Sequence, residues 1–477
     1  MNIKAVRLRN FRGFRDARIE LKPLTVLLGP NSAGKSSFGQ ALAAMAHAHK
    51  LYASTPQASL TPPPNENVKT WPVDLGNTND LRTKGAEGSV NIELETVGGL
   101  VEFGFGGMKH TDELLLSYIS YPIGEQSTSV NPPDKTTLIN IPQGQSSSGV
   151  MLEGASFNFA KKDQVKLGKI NEMQWQEYAQ EDATEASIIL DGLILKAVTH
   201  KTGTSRVLSG AASIGLRSLF NGLTYLRANR KRPTRGYKDG VDKYQPIGYS
   251  GEWTPSILHK KGSDQVLYFD PPQIPQSVDE ARKISYEWKE KRGALLEEVG
   301  AWLSRLDLAA AVETVPPTLL DSSVKLRATL KGQGSRDITE IGFGVSQVIP
   351  VLVAGLLQPE ESLLIVDLPE AHLHPRPQGT IADFFCSLAL SGRPALVETH
   401  SEMFFHRLRL RAAQDPILRD KIAVYFIDPP KDGICSDPRP VGLGFDDELR
   451  WPEGFLQEAY ETEMQINYVR QSRENRS

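Results

Sequence analysis

The stretch Leu24–Ser37, "LTVLLGPNSAGKSS", decides the reading of this chain. "LTVLL" is a short apolar run of the kind that makes a buried strand, and "SSFGQALAAMAHAHK" after it reads as a helix. Between them, Gly29 to Ser36 fits G-x-x-x-x-G-K-[ST]. Strand, glycine loop and helix together separate a true phosphate-binding loop from a chance match. The chemistry asks for these residue types. Gly29 and Gly34 let backbone N–H groups turn inward around phosphates, with Pro30, Asn31, Ser32 and Ala33 completing the turn. Lys35 reaches the β- and γ-phosphates, the Ser36 hydroxyl completes a magnesium shell, and Ser37 follows in the first helical turn. The expected ligands are ATP and Mg2+.

Farther along, "LLIVDLPEAHLHP" (Leu363–Pro375) leads four apolar residues into Asp367, the natural magnesium carboxylate of such a site, acting through water. The next residue is Leu368, which has no acid–base capability, and a glutamate stands only at Glu370. Pro369 stiffens the turn before it. Three readings of Glu370 compete: a displaced water-activating base, a support for a neighbouring histidine or the magnesium shell with slow hydrolysis, or a turn cap. "PALVETHSE" supplies another apolar strand ending in Glu398, Thr399 and His400, and His400 could sense a γ-phosphate. Before both, "EIGFGVSQVIPVLVAGLL" places Gly344, Ser346 and Gln347 near the start of an apolar helix. Such a turn can offer donors to an anion or serve as an ordinary cap. The pair His372 and His374 in "HLHP" lacks further ligands for a metal, and none is assigned to it.

Bulk properties exclude little but point one way. The 477 residues allow two or three domains, and 54 basic against 57 acidic residues leave a net charge of −3, which imposes no nucleic-acid or membrane partner. Two cysteines suggest a reducing compartment. The N-terminus "MNIKAVRLRNFRGF" lacks a signal-peptide block, and no apolar run is long enough for a membrane span. A soluble, cytoplasmic protein is expected.

Order and spacing of these motifs resemble an ABC-type ATPase head. The nearest resemblance is to prokaryotic ATPases related to RecF, SMC and the overcoming-lysogenization-defect (OLD) proteins, within the branch carrying "GFGVSQVxP", "PExHLHP" and "ETHSE". "TYLRANR" (224–230), "IGYSGE" (247–252) and "RWPEGF" (450–455) match further segments of that branch. The resemblance implies an α/β fold in which a mixed sheet with an antiparallel β lobe is interrupted by a helical insertion. It also implies head-to-tail homodimers or higher oligomers, with ATP held between one P-loop and the Gly344–Gln347 turn of the other subunit. Ser346 is the preferred γ-phosphate contact. OLD-type proteins often carry a Toprim nuclease, but the 77 residues after His400 contain no Asp-x-Asp pair, so a nuclease effector is expected on a separate chain.

The expected organisation is an N-terminal ATPase lobe at 1–206, a mainly helical insertion at 207–322, a C-terminal ATPase lobe at 323–430 and a tail at 431–477. "STPQASLTPPPNENVKTWP" (54–72) reads as a polar loop, "KTTLINIPQGQSSSGVML" as holding a flexible loop, and "VDEARKISYEWKEKRGALLEEVGAWLSRL" (278–306) as a long amphipathic helix. No sustained heptads appear. One basic cluster, with Arg227, Arg230, Lys231, Arg232 and Arg235, could grip a DNA backbone, face phosphates or an acidic partner, or be a solvated loop. Two functions follow: an ATPase sensor or scaffold of an anti-phage defence system, or a RecF/SMC-like DNA-maintenance ATPase.

Overall fold

The computed structural model describes residues 2–52, 59–61, 71–73, 78–86, 88–107, 114–122, 136–140, 152–155, 157–158, 186–191, 193–200, 205–207, 211–431, 434–435 and 437–443. Six strands form the central sheet: β1 (Leu24–Leu28), β2 (Thr224–Leu226), β3 (Leu364–Asp367), β4 (Ala395–Glu398), β5 (Ile422–Phe426) and β6 (Arg439–Pro440). Their order is β2-β3-β4-β1-β5-β6, parallel from β2 to β5, with β6 antiparallel at the edge. Strands β1, β3 and β4 are buried along their whole length, as parallel strands covered on both faces must be.

Alternate residues feed two cores. Leu27, Ile365 and Leu396 face helix α1 (Ser36–Leu51) and the β lobe. Val26, Val366 and Val397 face helices α2 (Phe343–Leu357) and α3 (Pro375–Leu390). Both α1 and α2 are apolar almost all round, which suits helices caught between layers rather than on a surface. The lobe is a seven-stranded antiparallel sheet built around Ile3–Phe11, Phe14–Glu20, Val90–Thr96 and Gly99–Gly107. The expected α/β architecture with an antiparallel lobe is therefore present.

Segment 207–322 departs from its mainly helical expectation. Helices Ala211–Gly222, Thr254–Lys261 and Leu295–Arg305 alternate with strands, and Thr224–Leu226 is itself the edge strand β2 of the central sheet. The stretch 278–306 is not one helix. Lys289–Ala294 pairs antiparallel with Gln265–Asp270, and only Leu295–Arg305 continues as a full helix. Tyr286 and Trp288 favour extended backbone and Gly293 weakens a helix, so strand pairing overrides the amphipathic pattern. Most of the 54–72 loop, the 141–151 loop and the tail from 444, with "RWPEGF", lie outside the described residues. Among the described residues no helix is long and apolar enough to cross a membrane.

Candidate functional site

The site gathers at the carboxyl ends of β1, β3 and β4, where ligands of parallel α/β sheets bind. Beyond β1 the backbone takes left-handed turns at Gly29, Ser32 and Gly34 before α1 starts at Ser36. Gly29 has φ +143°, and a Cβ there would lie 2.3 Å from the Ile427 carbonyl oxygen, so only glycine fits. The buried Lys35 Nζ donates to the Gly29 carbonyl at 2.9 Å and the Pro30 carbonyl at 2.5 Å, and lies 4.0 Å from Glu398. Burial lowers its pKa, opposed by the charges of Glu398 and Glu370. A cavity of about 330 Å³ opens beside the loop, with Arg12, Ser32, Lys35, Ser36, Glu398 and Cys435 in its wall.

Asp367 ends β3 buried, accepting a 2.5 Å bond from the Tyr225 hydroxyl. Burial and the neighbouring Glu398 charge hold its pKa well above the carboxylate range. After it, Leu368 sits at φ +47°, a costly conformation for a leucine. Two groups hold that turn. The Leu368 N–H donates to the Glu398 carbonyl at 2.8 Å, and Arg230 donates from Nη2 to the Asp367 and Leu368 carbonyls at 2.8 and 3.2 Å. Arg230 is only 5 % exposed, and burial lowers its pKa to about 10. It is thus an internal clamp and not part of a DNA-facing cluster. Arg227 is likewise committed, donating to the Trp71 and Pro72 carbonyls and stacking over Tyr249. Of the basic cluster, Lys231, Arg232 and Arg235 remain exposed, Arg235 with its Nη2 3.9 Å from Glu340.

Glu370 reaches across to the loop after β4. Its Oε1 accepts from the Thr399 hydroxyl at 2.7 Å and from the His400 N–H at 2.9 Å, so the carboxylate braces the histidine loop as well as its own turn. Its Oε2 is buried without a partner, and burial raises its pKa. The His400 Nδ1 lies 2.8 Å from the Gly29 carbonyl. A carbonyl only accepts, so Nδ1 carries the proton. Burial, reinforced by Lys35, lowers the ring's pKa, and the neutral ring then keeps a lone pair at Nε2. Lys35 and His400 share one acceptor on the P-loop.

The glycine–serine turn lies elsewhere. Gly342 caps α2 in the open, whereas Ser346 and Gln347 are buried. The Ser346 hydroxyl donates inward to the Phe343 carbonyl at 2.7 Å. Gly344 packs so closely that a Cβ would lie 2.8 Å from the His372 carbonyl oxygen. None of Gly344, Ser346 and Gln347 lines the P-loop cavity. His372 stacks edge-on against Phe343.

Three buried carboxylates, Asp367, Glu370 and Glu398, converge against the buried cations Lys35 and Arg230, and two of the three keep an oxygen without a partner. Such an excess of hard oxygen donors fits a divalent cation of the Mg2+ type. Among the described residues no group of three or more His, Cys, Asp or Glu could hold a metal ion, so Ser36 and the nucleotide's own phosphates would have to complete its shell. Sequence reading passed over Tyr225, Thr399 and Glu398 as site residues and misread Arg230. The one available signal was that Glu398, like Asp367, ends an apolar strand.

Solved structures match the chain only at low similarity. An SMC head domain from Thermotoga maritima has 10% identity and a TM-score of 0.31 over 92% of this chain and 99% of that one. An SmcHead bound to the C-winged helix domain of ScpA has 11% identity and a TM-score of 0.39 over 93% and 98%. No curated protein matches. Residues 1–405 match the family model described as AAA ATPase domain, a span that takes in both halves of the site, and the chain belongs to this ATPase family.

Proposed function

We propose that two copies of this ATPase meet head to tail and close ATP between the P-loop of one and the Gly344–Gln347 turn of the other. The ATP-held pair then works as a slow switch that controls a separate effector, such as a nuclease, in prokaryotic anti-phage defence. The observation that carries the first part is the separation within one chain of the P-loop cavity from the turn, whose N-cap Gly342 stands exposed. A partner's helix N-terminus brought to the γ-phosphate adds the missing donors. The Ser346 hydroxyl donates to Phe343 and accepts from the Gln347 amide at 3.4 Å, so reaching phosphate as a donor requires it to rotate.

Within one site, Lys35 leaves the Gly29 and Pro30 carbonyls for phosphate. Ser36 would hold a Mg2+ ion, with Asp367 in reach only through water, and the ion would supply charge neutralisation to the phosphates. Glu370 has one oxygen committed to Thr399 and His400 and one free to accept a proton from water, so it is both brace and displaced base. His400 Nε2 accepts a hydrogen bond from the attacking water. The defence role is supported by the motif set "GFGVSQVIP", "PEAHLHP" and "ETHSE". The DNA-maintenance reading has lost Arg227 and Arg230 to internal bonds and rests on Lys231, Arg232 and Arg235.

Sedimentation of Glu370→Gln with ATP and Mg2+ tests the pairing. An ATP-dependent dimer is expected, and a monomer at every ATP concentration sinks it. Copurification of an effector without DNA supports the switch. A salt-dependent duplex affinity lost on neutralising Lys231 and Arg232 supports the DNA reading instead.

A further inference from the structure

We propose that Glu398 is the positioning residue that aims Ser36 at the ATP-bound cation, in addition to Asp367, which motif order marks as the magnesium carboxylate. The assignment rests on the ATPase reading above and deepens it. Strands β3 and β4 run parallel with Asp367 beside Glu398, and Glu398 beside Leu27 of β1, so both carboxylates lie on the face that carries α1. Their surroundings differ.

A serine that ligates a cation does so through an oxygen lone pair, so its hydrogen must point at an acceptor on the far side. Here Ser36 and Glu398 stand together in the wall of the P-loop cavity, and the hydroxyl helps keep the Glu398 carboxylate charged. Glu398 is 9 % exposed, its Oε2 is buried without a partner, and the residue stands in the wall of the P-loop cavity. That oxygen is a buried acceptor with no donor beside it. Asp367 is otherwise engaged: Oδ2 takes the Tyr225 hydroxyl at 2.5 Å, and Oδ1 lies 3.8 Å from where a Cβ on Gly39 would sit, almost a turn along α1 from Ser36. Asp367 does not line the cavity. It acts from behind, as the fixed acceptor of Tyr225. The competing reading makes Glu398 only the counter-charge of Lys35, 4.0 Å away.

The two readings separate by cation dependence. Binding of a fluorescent ATP analogue to the full chain is measured in Mg2+ and in EDTA for wild type, Glu398→Gln, Asp367→Asn and Ser36→Ala, with folding checked by thermal melting. Wild type is expected to bind more tightly with Mg2+. Glu398→Gln should lose roughly 10- to 100-fold of that gain, as when an outer-shell partner of a ligand is removed, while its EDTA affinity does not fall. Asp367→Asn should lose less. Because Glu398 acts through Ser36, the double variant Ser36→Ala/Glu398→Gln should lose little beyond Ser36→Ala alone. If Glu398→Gln does not fold, Glu398→Asp takes its place in every arm. A retained Mg2+ gain in the Glu398 variant, a larger loss in Asp367→Asn, or losses that simply add would overturn the assignment. An equal change in Mg2+ and EDTA would also overturn it and identify a counter-charge only. Wild type that binds no ATP under either condition overturns the ATPase reading itself.

Discussion

The two carboxylate oxygens of Glu370 stand in different surroundings. Its Oε1 is held by Thr399 and by the His400 amide, and its Oε2 is free. Glu370→Gln should keep the Thr399 and His400 bonds while removing the proton acceptor. ATP turnover should then fall by about 100-fold or more with nucleotide binding retained, as read by steady-state phosphate release beside equilibrium binding. Turnover within twofold of wild type would leave Glu370 as a brace alone. His47 makes a different residue-scale prediction. Its ring accepts or donates a 2.7 Å bond with the Tyr249 hydroxyl and packs on Trp71 and Tyr244. Burial, reinforced by Lys50, pulls its pKa down to about 3. The folded chain then binds fewer protons than the unfolded chain between pH 6.5 and 3. Stability from this group is complete above pH 6.5 and is lost as pH falls, at most by about 1.4 kcal/mol per pH unit. Urea unfolding across that window should show a shallower acid decline in His47→Gln. The P-loop, Asp367 and His400 were legible because local order marks them. Tyr225 and Arg230 were not, since their meeting with Asp367 depends on β2 lying beside β3, more than a hundred residues away in sequence.

At the scale of elements, tertiary pairing decides what local pattern cannot. The 278–306 stretch has helical periodicity, yet its middle is a strand because Gln265–Asp270 offers a complete ladder from Gln265 opposite Ala294 to Asp270 opposite Lys289. The continuation Leu295–Arg305 buries Trp302 against Tyr268 and Phe384, with centroids 5.5 and 5.1 Å apart. Trp302→Ala should cost about 3–5 kcal/mol of unfolding free energy, measured in urea, by leaving a cavity between that helix and α3. The β3 turn has its own element-scale test. Arg230→Met removes the donors from the buried Asp367 and Leu368 carbonyls and should destabilise the chain by about 3 kcal/mol. Any salt dependence of DNA binding should persist in that variant, whereas Lys231→Ala with Arg232→Ala should change the salt slope and leave the melting temperature alone. The antiparallel lobe and buried parallel strands were readable because alternation and continuous apolar runs encode burial on one face or two. The edge strand β2 is three residues long, too short for any period to announce it.

For the whole molecule, pairing predicts complementation. Gly342 is exposed, and no neighbouring group comes within 4 Å of where a Cβ would sit, so Gly342→Arg should fold and bind ATP but block a partner's approach. Mixed with Lys35→Ala, each inactive alone, it should recover up to roughly a quarter of wild-type turnover, because half the pairs are mixed and each holds one intact site. No recovery on mixing would argue that each chain works alone. Strand order also has a consequence in time. The central strand β1 is made well over three hundred residues before its neighbours β4 and β5, at residues 395–398 and 422–426. At ribosomal speeds of about 5–20 residues per second, β1 waits roughly 20–80 s for the strands that cover its edges. During that wait the apolar α1 behind it must be shielded by the lobe or by a chaperone. A synonymous change that slows translation before residue 395 therefore lengthens the exposure of a strand made long before, and should lower soluble yield without altering a single contact in the finished protein.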